Sequence, residues 1–479
     1  MVHESTTALR ETLSRFGLRV EAGAPKITDV AALRREGIDH LIRTAVFAKD
    51  EATREEAREL IHAVARATGA VPASIQPLYE AIGRGEVKPD FTVPAHNLRA
   101  LTYDKARALF RAAIKHDAGA FIFEIARSEI GYTEQRPGEY AAAVLAAAVK
   151  EGYQGPVFIQ GDHFQASAKR WASDEREKEK RAIESLIDEA IAAEFYNIDI
   201  DTSTLVDLSH PTLDEQQRLN YEECAWFTKY IREREPDGID ISVGGEIGEV
   251  GKHNTSPEEF RAYMEGYLRT LGSGMKGISK VSIQTGTSHG GVPLPDGTIA
   301  KASIDFVTIK NISKIAREEF QIGGAVQHGA STLPEEVFDN FPKADAVEIH
   351  LATGFQNMLY DHASFPSDLR SEIEEWCREN AANERKEGQT EEQFHYTTRK
   401  KAIGPFKRRM WDLPDNVREP IIADLEKKFE FLMGKLGVNG TRELVNRYVQ
   451  VSAGEPRPKT KVRGEKLSMA ALVVEGEGE

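Results

Sequence analysis

The sequence predicts an α/β chain whose centre is a closed (β/α)8 barrel, with helical extensions at both ends. Three observations predict it: from residue 91 short β-rich runs alternate with longer helical ones, eight such runs can be counted, and a polar residue able to do chemistry follows almost every one. Sequential parallel strands need helical crossovers, eight of them suit closure, and polar residues at successive strand ends fit a ring on one face. A doubly wound open sheet fits less well, because no Gly-rich dinucleotide fingerprint follows the first strand.

Taken in order, residues 1–90 carry two or three amphipathic helical stretches, 27–49 and 51–68 among them. In the second, Ala57, Leu60, Ile61, Val64 and Ala65 recur at helical spacing. This is read as a helical N-terminal extension. The strands are read over 91–95, 120–126, 156–161, 196–201, 239–246, 280–286, 322–327 and 344–351. Between them, segments 103–117, 137–151, 172–194, 213–235, 256–272, 302–318 and 333–341 carry helical periodicity, with Ile183, Leu186, Ile187, Ala190 and Ile191 on one face. Each βα unit takes about 25–45 residues, as a TIM-barrel repeat does, so residues 91–360 are read as the barrel. From 361 to 479 the alternation stops. Helical stretches 367–380, 391–411 and 417–437 form a C-terminal extension, the charged run 380–392 is a solvated loop or helix face, and a tail from 454 contains one apolar stretch, 467–474, suited to docking on a neighbour.

Composition narrows the partners. The 479 residues hold 62 Lys and Arg against 77 Asp and Glu, a net charge of −15, the wrong sign for coating a phosphate backbone. No nucleic acid is expected. The apolar runs are strand-sized, so no membrane span and no export signal is expected, and the location is read as cytoplasmic. Cys224 and Cys377 lie in different helical segments and offer neither a disulfide framework nor a thiolate metal site. Any metal must be held by histidine and carboxylate.

The strand ends supply those groups: Asn97, Ser128, Asp162 with His163, Asp201, Glu246, His289, His328, and then His350 with Thr353. A lone histidine at a strand end is usually a hydrogen-bonded structural residue. Three on one rim, His163, His289 and His328, point instead to a divalent metal, Zn²⁺ first among them, with an open position for catalysis. Glu246 ends the fifth strand after two glycines and is a fourth or exchanging ligand. Asp162 precedes His163, and a turn of the chain there would bring both to the cavity and set a carboxylate beside a metal-bound substrate for proton transfer. Asp201 ends an alternating strand and is either a cap or a rim residue. The small-residue loops 286–291 and 329–331, with Gly290, Gly329, Ser331 and Thr353, are read as a phosphate cradle on the late strands. Lys280 opens its strand, so it is expected at the far end of the barrel. No lysine closes a strand, which favours metal chemistry over imine chemistry.

At these residues the sequence resembles the class II, metal-dependent fructose-bisphosphate aldolases and their tagatose-bisphosphate relatives. The likeness spans 91–360 and rests on five ordered motifs: GDH (161–163), IDTS (200–203), GEIG (245–248), GTSHG (286–290) and HGAS (328–331). It implies that His163, Glu246, His289 and His328 are metal ligands, with Asp201 orienting them or serving an alternative metal position. Asp162 would exchange the proton of the substrate's C4 hydroxyl. Gly290, Gly329, Ser331 and Thr353 would bind the dihydroxyacetone-phosphate end, with Asn97 and Ser128 on the substrate side; the sequence leaves open whether a monovalent cation assists the divalent one. Two departures stand out. Where the family carries a loop with paired acids, this chain has EVGKHNT, leaving Glu249 or His253 as proton-transfer groups; where the last strand's motif has asparagine, this chain has His350, which is read with the substrate-binding residues.

The expected reaction is reversible cleavage of fructose 1,6-bisphosphate to dihydroxyacetone phosphate and glyceraldehyde 3-phosphate, a step of glycolysis and gluconeogenesis. The alternatives are another ketose phosphate such as tagatose bisphosphate, a non-catalytic barrel subunit supporting an aldolase partner, or a different metal-assisted isomerase or carbon–carbon lyase. A phosphorylated sugar is the expected partner, and the added helices suit a homo-oligomer.

Overall fold

The computed structural model describes residues 1–21, 24–248, 253–286, 294, 304–454, 457–459, 462 and 472. Eleven strands fall among them: β1 (Leu18–Glu21), β2 (Ala24–Ile27), β3 (Ala70–Ala73), β4 (Val93–Asn97), β5 (Ile122–Ala126), β6 (Gly155–Gln165), β7 (Asn197–Asp201), β8 (Ser242–Glu246), β9 (Lys280–Ser282), β10 (Ala325–Gln327) and β11 (Glu348–Leu351). Strands β4 to β11 pair in parallel, each with the next, and β11 pairs back to β4. The sheet is therefore the closed eight-stranded barrel, and all eight expected strands overlap the observed ones.

Helices wrap the barrel, and their ends carry the residues that end helices. Ser256 caps the helix Pro257–Leu271 through the Glu259 N–H, and the Glu259 carboxylate accepts from the Ser256 N–H in return. The expected face Ile183, Leu186, Ile187, Ala190 and Ile191 of the helix Arg176–Ala192 is buried throughout. Between helices and sheet the core is aromatic in places, as where Phe110 meets Phe123 and Tyr153 with ring centres 4.9 and 4.8 Å apart.

The N-terminal segment is not wholly helical, as the reading of 1–90 expected. Residues 24–27 pair antiparallel with 18–21, so the helical run read from 27 begins only at Val30 and passes through a wide turn, Leu33–Gly37, before Ile38–Phe47. Four residues then leave the helix Glu51–Thr68 and enter the main sheet. Ala70 to Ala73 pair with Gly155 to Phe158, ahead of the point where β7 takes up β6 from Gln160 onward. The Asn197 side chain fastens this junction. Its Oδ1 accepts from the Ile75 N–H at 2.9 Å, and its Nδ2 donates to the carbonyls of Ala73 at 3.2 Å and Ile159 at 3.0 Å. Two other helical readings are broken: 333–341 is the short turn Glu335–Val337, entered after Pro334, followed by Asn340–Lys343, and 391–411 is the helix Glu391–Thr398, the tighter turn Arg399–Ala402 and, past Gly404 and Pro405, the helix Lys407–Trp411.

The barrel interior is charged rather than packed with the branched aliphatics usual in this architecture. Glu124, Gln160, Asp199, Lys280 and Glu348 point inward and are all buried. Lys280 is thus not at the far end of the barrel as expected. Its ammonium bonds Glu348, and lies 2.9 Å from both Asp199 Oδ2 and Gln160 Oε1. Gly244 makes this reach feasible: it sits in register between Asp199 and Lys280, and a Cβ there would overlap the Asp199 carboxylate and crowd the Lys280 side chain.

Candidate metal centre

The C-terminal ends of the strands bring together the groups expected there. β6 runs past Gly161, and its pairing with β7 slips between Gly161 and Phe164. The residues left over in that bulge are Asp162 and His163, and His163 takes a left-handed backbone with φ +39°. The bulge suspends the alternation of the strand, so both side chains turn to the cavity.

His163 is the hub. Its Nε2 lies 2.8 Å from His328 Nδ1, and its Nδ1 lies 3.0 Å from Glu246 Oε2 and 3.2 Å from Asp201 Oδ2. One donor atom each from His163, Glu246 and His328 falls within 4.8 Å of the others. Two imidazoles and a carboxylate on three strands of one rim fit a divalent ion of the zinc type, with open positions left. Asp201 is anchored by the Ser203 N–H at 3.0 Å and hydroxyl at 2.7 Å, and by the Gln165 amide. The far nitrogen of His328, Nε2, meets the Ser282 hydroxyl at 2.8 Å. His289, Gly290 and Glu249 lie outside the described residues. His253 is largely exposed, its ring Nδ1 at the Asn254 carbonyl and its Nε2 3.8 Å from the capping Glu259.

Asp162 is fully buried beside this cluster, with its Oδ1 3.7 Å from His163 Nε2 and 3.1 Å from His350 Nδ1. Burial alone would raise its carboxyl, but the facing His163 and His350 hold it well below the usual carboxylate range. Burial likewise opposes charge on His163, and the Asp162 and Glu246 carboxylates overcome it and raise that imidazole. Asp199, deeper in the barrel, is pushed up to about 6 by burial against the pull of Lys280.

The other expected residues spread around the rim. Asn97 Nδ2 donates to Glu129 at 2.5 Å, and Glu129 pairs with the buried Arg99, whose Nη1 reaches the Thr353 hydroxyl at 3.4 Å. Ser128 stands in the first turn of the helix Arg127–Thr133 that follows β5. Ser331 accepts from the Gly354 N–H at 3.0 Å, which ties the loop after β10, including the left-handed Gly329, to the helix Thr353–Tyr360. His350 was expected among the substrate-binding residues, but it is enclosed. Its Nδ1 lies 2.9 Å from Glu124 Oε2 and 3.1 Å from Asp162, and its Nε2 lies 2.7 Å from Glu348 Oε1.

Reading strand ends alone missed the layer beneath. Gln160, Asp199 and Glu348 each stand two residues before a rim candidate, Asp162, Asp201 and His350, and Lys280 stands two before Ser282. In a strand that spacing shares a face, so a period-two search back from each rim residue would have found them.

Known proteins place this arrangement. The family model for class-II fructose-bisphosphate aldolase matches residues 87–412. No curated protein matches the chain. Similar solved structures include the YdjI aldolase from Escherichia coli K12, at 14% identity over 77% of this chain and 99% of that one, with a TM-score of 0.44. Fructose-bisphosphate aldolase from Campylobacter jejuni is 18% identical over 78% and 97%, TM-score 0.46. A protein of Sinorhizobium meliloti 1021 described as a probable tagatose 6 phosphate kinase is 15% identical over 72% and 97%, TM-score 0.49. The family is in general metal-dependent, in keeping with the histidine and carboxylate cluster on the rim. With about two thirds of its length matched, the chain belongs to the class-II fructose-bisphosphate aldolase family.

Proposed function

We propose that the protein is a metal-dependent fructose-1,6-bisphosphate aldolase. The observation that carries this reading is the convergence of His163, Glu246 and His328 on one rim with the buried carboxylate of Asp162 beside them. His163, Glu246 and His328 would hold the ion, with His289 as a further ligand and Asp201 orienting His163. Zn²⁺ suits this set of imidazole and carboxylate donors. When bound, the ion supplies a Lewis acid that polarises the ketone of the substrate.

The chain's own groups do the rest. Asp162 takes the proton of the C4 hydroxyl as the C3–C4 bond breaks; the C4 oxygen becomes the aldehyde carbonyl, and the bonding electrons stay with the ketone half. In condensation Asp162 returns that proton. Gly329, Ser331 and Thr353, on the loops after β10 and β11, would bind the phosphate of the ketone half, with Asn97 and Ser128 at the ends of the adjoining strands β4 and β5.

A coupled assay of the purified chain with fructose 1,6-bisphosphate and with tagatose 1,6-bisphosphate, each with and without chelator, tests the reading. Chelator-sensitive cleavage that prefers the fructose substrate is expected, and preference for the tagatose substrate would move the assignment within the family. Asp162→Asn should keep its metal and lose about 10²- to 10⁴-fold in kcat, the range for a positioned acid–base group. His328→Ala should lose the metal. Full activity in a metal-free His328→Ala protein would sink the proposal.

A further inference from the structure

Resting on the aldolase reading, we infer that His350 is a positioning residue for Asp162, held from below by a buried chain that runs through Glu348 to Lys280 and Tyr79. The argument begins with where Asp162 sits. It sits where the pairing of β6 with β7 slips, so that only the β5 side, at Ala126, still holds its backbone in register, and it is fully buried. A proton-transfer group works only within hydrogen-bond reach of its target, and a displacement of about 1 Å can cost about a hundredfold in rate. Backbone pairing on one side leaves the carboxylate itself to be held by neighbouring side chains.

His350 is placed to do so. Its Nδ1 stands between Asp162 Oδ1 at 3.1 Å and Glu124 Oε2 at 2.9 Å, while its Nε2 is held by Glu348 Oε1 at 2.7 Å. Glu348 is fixed in turn: Lys280 bonds the same Oε1, the Gln160 amide donates to it at 2.9 Å, and the Tyr79 hydroxyl donates to Oε2. Tyr79 belongs to the helix Gln76–Gly83 of the N-terminal segment. An imidazole with one nitrogen facing the reactive carboxylate and Glu124, and the other on the anchored Glu348, is fixed in orientation from both ends. No part of the chain needs to meet substrate. This also accounts for a charged barrel interior, in which Lys280 balances Glu348 and Asp199.

The test separates the two ends of the imidazole with variants of similar size and polarity. His350→Asn keeps an N–H near the Nδ1 position facing Asp162; His350→Gln places its N–H near the Nε2 position facing Glu348. Each is measured in two reactions with metal content checked: cleavage of fructose 1,6-bisphosphate, and exchange of the hydroxymethyl hydrogen of dihydroxyacetone phosphate with solvent deuterium, which has no C4 hydroxyl to deprotonate. The expected result is that His350→Gln cleaves about 10- to 100-fold more slowly than His350→Asn, as for loss of an outer hydrogen-bond partner. KM and deuterium exchange should stay within about twofold of the unaltered protein in both. Glu348→Gln, whose neutral amide oxygen holds Nε2 more weakly than the carboxylate does, should slow cleavage with exchange preserved, and it decides the matter should either His350 variant fail to fold. Equal cleavage by the Asn and Gln variants, or exchange falling in step with cleavage, would overturn the inference. Absence of both reactions in the unaltered protein would overturn the aldolase reading itself.

Discussion

His328 has two ring nitrogens with different neighbours, and Ser282 decides which of them faces the cluster. The hydroxyl at 2.8 Å from Nε2 leaves Nδ1 turned to His163. A partner of this kind fixes both the tautomer and the ring orientation of a metal-binding imidazole. Ser282→Ala is therefore expected to weaken metal binding by about 10- to 100-fold. Competition titration against a chelating dye measures it; an unchanged affinity would show that His328 needs no such lock. The positions of His163, His328, Glu246 and Asp162 were legible in the sequence because each closes a β-run, and strand ends share a face. The position of His350 was not. It also ends a run, yet it is enclosed by Glu124, Asp162 and Glu348, and nothing in its local sequence distinguishes a residue at the rim from one just below it.

Among the elements, β8 shows how a strand can matter by what it omits. Gly244 leaves room for Lys280 to cross to Asp199. Gly244→Ala should cost about 1–3 kcal/mol, the range for forcing extra volume into a packed interior. A urea melt reads it, and a stability equal to that of the unaltered protein would mean that the two side chains reach each other another way. The strands of the barrel were legible because eight β-rich runs alternate with helices. β3 was not, since Ala70–Ala73 is four residues long and directly follows a helix, too short for any period to register. Its place is fixed by distant partners. Asn197→Ala would leave the Ile75 N–H and the Ala73 carbonyl without that partner in a buried site, at an expected cost of about 2–4 kcal/mol. The same melt measures it.

At the scale of the whole molecule, both ends of the chain meet at one buried carboxylate. Glu194 bonds His62 and Arg66 of the helix Glu51–Thr68, and Arg457 from the C-terminal part lies 3.7 Å away. Burial works against its charge, but His62, Arg457 and Arg66 together lower its carboxyl to about 2, from an ordinary 4.5. A carboxylate with a depressed folded value stabilises fully above about pH 4.5, and that stabilisation is lost as pH falls through about 2. Glu194→Gln should therefore unfold more easily at neutral pH by roughly 3 kcal/mol, with the gap to the unaltered protein closing between pH 4.5 and 2. Melts at pH 7, 4 and 2.5 follow it, and a gap independent of pH would place the stabilisation elsewhere. The sharing of one β6 edge by β3 and β7 has a further consequence, for the order in which the chain can fold as it is made. Ala70 leaves the ribosome 85 residues before Gly155, its partner, so the N-terminal helices must wait, with their sheet edge open, until β6 emerges. Only then can Tyr79 reach the barrel axis, and Glu348, its acceptor, is translated later still. A nascent chain stalled before β6 would carry an unpaired strand, the form most exposed to association with other chains.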